Sequence, residues 1–210
     1  MTKIFQTILF ALTVFLTGCM TIAQSIIGIK EVNKLSDSQI VKTSKSFKVD
    51  QNANYRLDTT YLSYILNLDT AQFKAQRKNH IQPMQALYFN SSGKLIKFYI
   101  NCYAAGGFPN LKWNRNGNLE TFLPKDQAPL DTILNLAKQL SYLRPVCKST
   151  NDTVTQNQDY YVFVYWSKFT KRHSKRLIRN IKQNVSKSTI AKVKTIYVNY
   201  DNVFYKFENK

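Results

Sequence analysis

The chain has 210 residues, of which 44% are hydrophobic, and its formal net charge is +18. This composition is sufficient for the core of one domain or slightly more. No internal repeat or low-complexity segment is present, which excludes a repeat array.

The first residues have the pattern of a targeting signal. Lys3 supplies a positive charge, and residues 4–15 form an apolar run. Such a run is too short to span the core of a bilayer, which needs about 20 residues, so we interpret residues 1–18 as a signal peptide. The mature chain is therefore expected in the cell envelope.

The motif Leu16-Thr17-Gly18-Cys19 follows this run. It resembles the lipobox of bacterial lipoproteins, in which lipoprotein signal peptidase cuts before the cysteine. The resemblance implies that Cys19 is acylated, that membrane lipid is its partner, and that residues 19–35 form a lipidated tether. Acyl chains anchor strongly, since each buried CH₂ contributes about 0.8 kcal/mol. The alternative is ordinary secretory cleavage after Ala23, which would release a soluble protein without Cys19.

Two further cysteines, Cys102 and Cys147, would then lie in a compartment that permits disulfides. A bridge between them would close a loop of about 45 residues and add on the order of 3–4 kcal/mol of stability. The alternative is two separate, half-buried thiols. No C-x-x-C motif marks a dithiol active site.

Three helices are predicted before the first strand. The first covers residues 37–47, where Ser36 and Gln39 have the spacing of a capping box. Asp58 and Asp69 are candidates for the N-terminal caps of the second and third helices.

Two antiparallel hairpins are predicted next. Their strands cover residues 84–89 and 94–103 around Asn90-Ser91-Ser92-Gly93, and residues 111–113 and 119–122 around Asn114-Arg115-Asn116-Gly117. The loop between the hairpins contains Gly106 and Gly107, and such a pair can approach a phosphate closely. Because a strand pattern follows it rather than a helix N-terminus, we interpret this loop as structural.

The chain then continues into a helix that is predicted to begin at Asp131 and to close at Arg144-Pro145. Residues 149–158 are polar and aperiodic, and 151–158 are the predicted linker between a part over 36–150 and a part over 159–210. We favour one mixed sheet, and hence one domain over 36–210, because two parallel strands alone would leave faces and edges uncovered.

The carboxy-terminal part has the pattern of a βαβ unit. Residues 160–166 are a continuous apolar and aromatic run, typical of a strand that is buried on both faces. Residues 167–185 have a helical period, and residues 193–198 form a second buried strand.

The order of an aromatic strand ending in Trp166, a helix, and a strand ending near Asp201 resembles the central βαβ of the thioredoxin fold. If Trp166 matches that family's tryptophan, the two redox cysteines correspond to Thr170 and His173. Neither is a thiol, so the resemblance implies a degenerate redox site without thiol–disulfide exchange. The predicted fold class is therefore α+β with a mixed sheet, in which a thioredoxin-like βαβ segment joins antiparallel hairpins and N-terminal helices.

Charge gives the strongest functional indication. Ten Lys or Arg residues and no Asp or Glu lie between residues 168 and 194. Five of them recur at spacings of four and three and form one line along the predicted helix, here called the basic stripe: Lys168, Arg172, Lys175, Arg179 and Lys182. Like charges at this spacing do not stabilise a helix, so they indicate either a solvated face or contact with an anionic surface such as lipid headgroups.

Three functions follow from these patterns. The first is a non-catalytic, membrane-anchored envelope lipoprotein with a binding or structural role. The second is an envelope enzyme with a site around Thr170, Arg172 and His173, where the start of a helix can hold an anion. The third is a soluble exported protein that binds polyanions. We expect no cofactor or metal, with His80 a solvated or dipole-stabilised side chain at a helix end, and no nucleic acid partner.

Overall fold

The structure is a computed structural model that describes residues 29–107, 110–147 and 157–209. Its helices are α1 (Asp37–Ser46), α2 (Thr60–Leu66), α3 (Thr70–His80), α4 (Leu136–Ser141), α5 (Lys171–Val185) and α6 (Asp201–Glu208). Its strands are β1 (Asn54–Leu57), β2 (Gln85–Asn90), β3 (Leu95–Ile100), β4 (Leu143–Pro145), β5 (Tyr160–Trp166) and β6 (Val193–Asn199). Most of the predicted linker, residues 151–158, lies outside the described residues. The whole lipobox lies outside them as well.

The strands form one six-stranded sheet in the order β3-β2-β5-β6-β1-β4. Strands β5, β6 and β1 are parallel, with Phe163 opposite Ile196, while β2, β3 and β4 pair with their neighbours in antiparallel fashion. The α+β class with a single mixed sheet is thus confirmed. So is the strand–helix–strand unit β5–α5–β6, which lies at the centre of the sheet rather than beside it.

Helices cover both faces of the sheet. Alternate side chains of β5 point to opposite faces, so Val162, Val164 and Trp166 join one core cluster and Tyr161, Phe163 and Tyr165 join the other. The first cluster is covered by α1, α5 and the segment that follows β3, and the second by α2, α4 and α6. Burial on both faces explains why β5 reads as an unbroken apolar run.

Two of the three predicted N-terminal caps are confirmed, whereas the cap of α2 is Thr59 and not Asp58, which lies one residue earlier and accepts from Thr60 N. At α1, Gln39 N donates to Ser36 Oγ over 3.3 Å and Ser36 N donates to Gln39 Oε1 over 2.9 Å, which completes the capping box. At α3, Asp69 accepts a hydrogen bond from Ala71 N. Each cap satisfies N–H groups that the helix itself leaves without partners.

The first hairpin is confirmed, and Gly93 has the positive φ that its turn requires. The prediction of a second hairpin is wrong, because residues 111–113 and 119–122 form no paired strands. Leu111 and Leu119 instead pack into the core beneath α5, and only Lys112 makes an isolated bridge, to Ala105. Asn116 and Gly117 do adopt the positive φ values that the Asn-Gly turn signal indicates.

The helix predicted to begin at Asp131 starts five residues later, at Leu136, because Asn135 provides the cap by accepting from Lys138 N. The carboxylate of Asp131 does not cap the helix and instead lies 3.0 Å from Nε2 of His80. His80 is fully buried and stacks on Phe98, so the interpretation of a solvated histidine is wrong.

Candidate anion-binding site

Three hydroxyl groups hydrogen-bond to one another at the turn from β5 into α5. Thr170 is buried, and its Oγ1 lies 2.7 Å from Ser167 Oγ and 2.8 Å from Ser174 Oγ. His173 is fully buried on the inner side of α5. The two positions that match the redox cysteines therefore lie inside the protein, although Thr170 also borders a cleft of about 760 Å³ lined by Phe169 and Phe204.

A carboxylate from the next strand end binds the same turn. Asp201 accepts hydrogen bonds from the backbone N–H of Lys168 at 2.8 Å and of Phe169 at 3.4 Å, and from Asn199 Nδ2. Burial raises the pKa of Asp201 to about 6, although these donors favour the ionised form. The turn thus carries an internal carboxylate where the second hypothesis expects a ligand, and Arg172 is exposed whereas Thr170 and His173 are buried.

Four of the five residues of the basic stripe lie along the outer side of α5, and Lys168 lies in the turn before it, because the helix begins at Lys171. Arg172, Lys175 and Arg179 are exposed, and Lys168 and Lys182 are half-buried. The opposite side of the helix packs onto the sheet through its apolar residues Leu177, Ile178 and Ile181. The spacing in the sequence therefore identified the surface-facing side of α5 correctly.

One end of the stripe is held by its neighbours. Lys182 Nζ donates to the carbonyl oxygen of Lys48, just after α1, and lies 5.5 Å from the ring centroid of Tyr197. A groove of about 580 Å³ runs beside the stripe here, between α5 and Phe47. Lys182 is thus an ordered part of this surface.

A second groove, of about 840 Å³, lies on the other side of α5 and is here called the loop groove. Its basic residues are Lys112, Arg115, Arg176 and Arg179, and its lining also includes Gly106. No Asp or Glu belongs to the described lining of either groove. Sequence reasoning missed this groove because Lys112 and Arg176 come together only through the fold.

The segment that forms the loop groove is fixed to α5 by a buried amide. Asn184 Nδ2 donates to the carbonyl oxygens of Leu119 and Thr121, and Asn184 Oδ1 accepts from the hydroxyl of Tyr88. Residues 110–121 therefore keep a fixed position relative to Arg176 and Arg179, which lie on the same helix.

The four cations of the loop groove differ from several others on the surface. Arg56, Lys97, Arg144 and Lys187 each form an ion pair with an Asp or Glu. In the described part of the chain, the loop groove cations have no carboxylate within 4.0 Å. Their charge is available to an external anion.

The remaining candidate groups contribute nothing to such a site. Cys102 is exposed and Cys147 half-buried, and both are free thiols. Across residues 29–107, 110–147 and 157–209, no cluster of three or more His, Cys, Asp or Glu forms a metal site. Within the same ranges, no helix has the length and apolar character needed to cross a bilayer.

Comparison of the chain with protein-family models, with curated proteins and with solved structures found no match in any of the three.

Proposed function

We propose that the protein is a lipid-anchored lipoprotein of the bacterial cell envelope, non-catalytic, that holds the basic stripe of α5 against anionic headgroups. The observation that carries this proposal is the outward, basic side of α5, flanked by two grooves without acidic lining residues. The lipobox at Leu16-Cys19 supplies the anchor, and the thioredoxin-like βαβ segment, without its redox chemistry, supplies the scaffold.

The position of the tether supports this arrangement. The described chain starts beside the first turn of α5, since Lys30 N donates to the carbonyl oxygen of Phe169 over 2.7 Å. Ten residues separate residue 19 from residue 29, and ten residues reach at most about 35 Å. Helix α5 has 15 residues, which corresponds to about 22 Å. An anchor at Cys19 therefore allows the whole stripe to reach the same membrane.

The two contributions complement each other. Each Lys or Arg near an anionic membrane surface adds about 1 kcal/mol, and this term is screened by salt, whereas acyl chains bind independently of salt. The acyl anchor would thus keep the protein on the membrane while the stripe sets which side faces it.

A crossed set of variants tests both contributions. We expect metabolic palmitate labelling of the wild-type chain, and complete loss of the label in Cys19→Ala but not in Cys102→Ala. In the Cys19→Ala background, Arg172→Gln with Lys175→Gln should weaken binding to anionic vesicles by about 10–30-fold, because two cations are lost. Binding measured by cosedimentation should also fall between about 0.05 and 0.5 M salt.

The matched control removes the same charge elsewhere. Lys74→Gln with Lys78→Gln acts on α3, where both side chains are exposed and lie about one helical turn apart. This pair should change vesicle binding by less than about threefold, since only the long-range charge is lost. Equal losses of vesicle binding for the two variant pairs would refute the role of the stripe in binding headgroups. An unlabelled mature chain beginning at Gln24 would refute the acyl anchor and favour a soluble exported protein.

A further inference from the structure

The loop groove differs from the basic stripe in the origin of its cations. The stripe residues follow one another along a single stretch of chain, whereas Lys112 and Arg115 come from the loop segment and Arg176 and Arg179 come from α5, and all four line one space of about 840 Å³. Cations contributed by two segments to one groove can act on the same anion. The groove is therefore suited to a single, highly charged group.

The kinds of side chain in the groove favour phosphate. Two of them, Arg176 and Arg179, are three residues apart on α5 and border the groove together. Guanidinium groups bind phosphate oxygens through paired hydrogen bonds, and Asn114 and Asn180 add neutral donors to the lining. Carboxylates, which would compete for these donors, are absent from the described lining.

The backbone of the loop also comes close to this space. Gly106 has a φ of +87° and borders the groove, and a Cβ at this position would lie 2.3 Å from the carbonyl oxygen of Asn110. Only glycine fits the turn, because a Cβ here would collide with that carbonyl oxygen, so it is the backbone of the loop that borders the groove at this point.

We propose that the loop groove binds the phosphomonoester group of an anionic headgroup in preference to a phosphodiester. A phosphomonoester carries about 1.5 to 2 negative charges near neutral pH, against about one for a phosphodiester, and it presents three terminal oxygens to the four cations. This inference rests on the proposed function, because it assigns a headgroup class to the same membrane-facing surface.

Vesicle binding tests the preference. The full chain carrying Cys19→Ala is mixed with phosphatidylcholine vesicles that contain either phosphatidic acid or phosphatidylglycerol, adjusted to equal zeta potential. We expect about tenfold tighter binding to the phosphatidic acid vesicles. Lys112→Gln with Arg176→Gln should abolish this preference, and neither residue belongs to the basic stripe.

The stripe variant is the matched control. Arg172→Gln with Lys175→Gln removes the same charge from the neighbouring surface, and it should weaken binding to both vesicle types while keeping their ratio. Equal binding of the wild type to both vesicles, or a preference that survives in the groove variant, would overturn the inference and leave the stripe proposal standing. Absence of binding to either vesicle would overturn both. Unchanged thermal unfolding of each variant establishes that the fold is intact.

A competition arm separates a lipid headgroup from free phosphate. Inorganic phosphate at millimolar concentration should reduce the preference for phosphatidic acid only weakly if the site acts at the membrane, because vesicle binding adds the stripe contacts. Saturable phosphate binding in solution that removes vesicle binding completely would assign the groove to a soluble phosphate compound and overturn the headgroup source.

Discussion

The carboxylate of Asp201 is buried beneath the turn between β5 and α5 and binds its backbone N–H groups. Its pKa is raised from 3.8 to about 6 by burial. Between these values the folded protein binds more protons than the unfolded chain does. The contribution of Asp201 to stability is therefore fully present below about pH 4 and is lost as the pH rises through about 6.

The variant Asp201→Asn removes this titration. The unfolding free energy of the wild type, relative to that of the variant, should fall by about 2–3 kcal/mol between pH 4 and pH 7. Urea unfolding at several pH values measures the difference. A difference that stays constant, or that grows with pH, would show that the donors at this turn outweigh burial and keep the carboxylate ionised.

At the scale of the element, the segment over 110–123 contains no regular strand and is therefore not held in place by strand pairing. The side chain of Asn184 holds it against α5 instead. Three polar groups bond to this one side chain: the carbonyl oxygens of Leu119 and Thr121 and the hydroxyl of Tyr88. The carbonyl oxygen of Leu119 also accepts a longer bond, of 3.4 Å, from Lys187 Nζ. Buried polar groups that lose their partners cost about 1–3 kcal/mol each when they cannot reach water.

Asn184→Leu should therefore destabilise the protein by about 2–4 kcal/mol, since the new side chain keeps the volume but bonds to none of these groups. Hydrogen exchange over residues 110–122 should accelerate more than in β5. Gln183→Leu is the control, because Gln183 is exposed on the same turn of α5, and it should cost less than about 0.5 kcal/mol. Similar costs for the two variants would contradict this role of Asn184.

Local signals explain which elements could be predicted. The β5–α5–β6 unit has long apolar runs and a strong helical period, so its type follows from the sequence. Strands β1 and β4 have only four and three residues and contain Arg56 and Arg144, so no periodicity marks them. Residues 111–122 resemble a hairpin because Leu111 and Trp113 are apolar, but their burial is due to packing against α5.

The distinction between local pattern and tertiary packing also applies to the candidate site. The basic stripe could be predicted because four of its five residues lie on one helix, and their spacing is a local property. The loop groove could not be predicted, since Lys112 and Arg176 are joined by the tertiary fold and not by any sequence pattern. Asp201 was identified only as a residue near the end of a strand, and its contact with the turn at Lys168 depends on the parallel pairing of β5 and β6.

For the whole molecule, the sheet order decides whether Cys102 and Cys147 can form a disulfide. Cys102 follows β3 and Cys147 follows β4, the two outermost strands. Six strands have five spacings of about 4.8 Å, which places these edges about 24 Å apart. The antiparallel orientation of β4 puts the two cysteines at opposite ends of the sheet as well. A disulfide requires Cα atoms within about 7 Å.

We therefore expect both thiols to remain reduced in a protein purified from an oxidising compartment. Alkylation without a reducing agent, followed by mass spectrometry, should modify Cys102 and Cys147 in the same molecule. Faster modification is expected at Cys102, which is exposed. A peptide that links the two cysteines would contradict the sheet order described above.

The outer border of β3 has a consequence for the protein at high concentration. Phe98 O accepts from Ala128 N, and Ile100 N donates to Gln127 Oε1, so these backbone groups are already occupied. The opposite border, β4, is three residues long and ends in Pro145. Neighbouring copies would therefore find little free backbone on which to build a continuous intermolecular β-structure, and a concentrated solution of this protein should not grow into fibres.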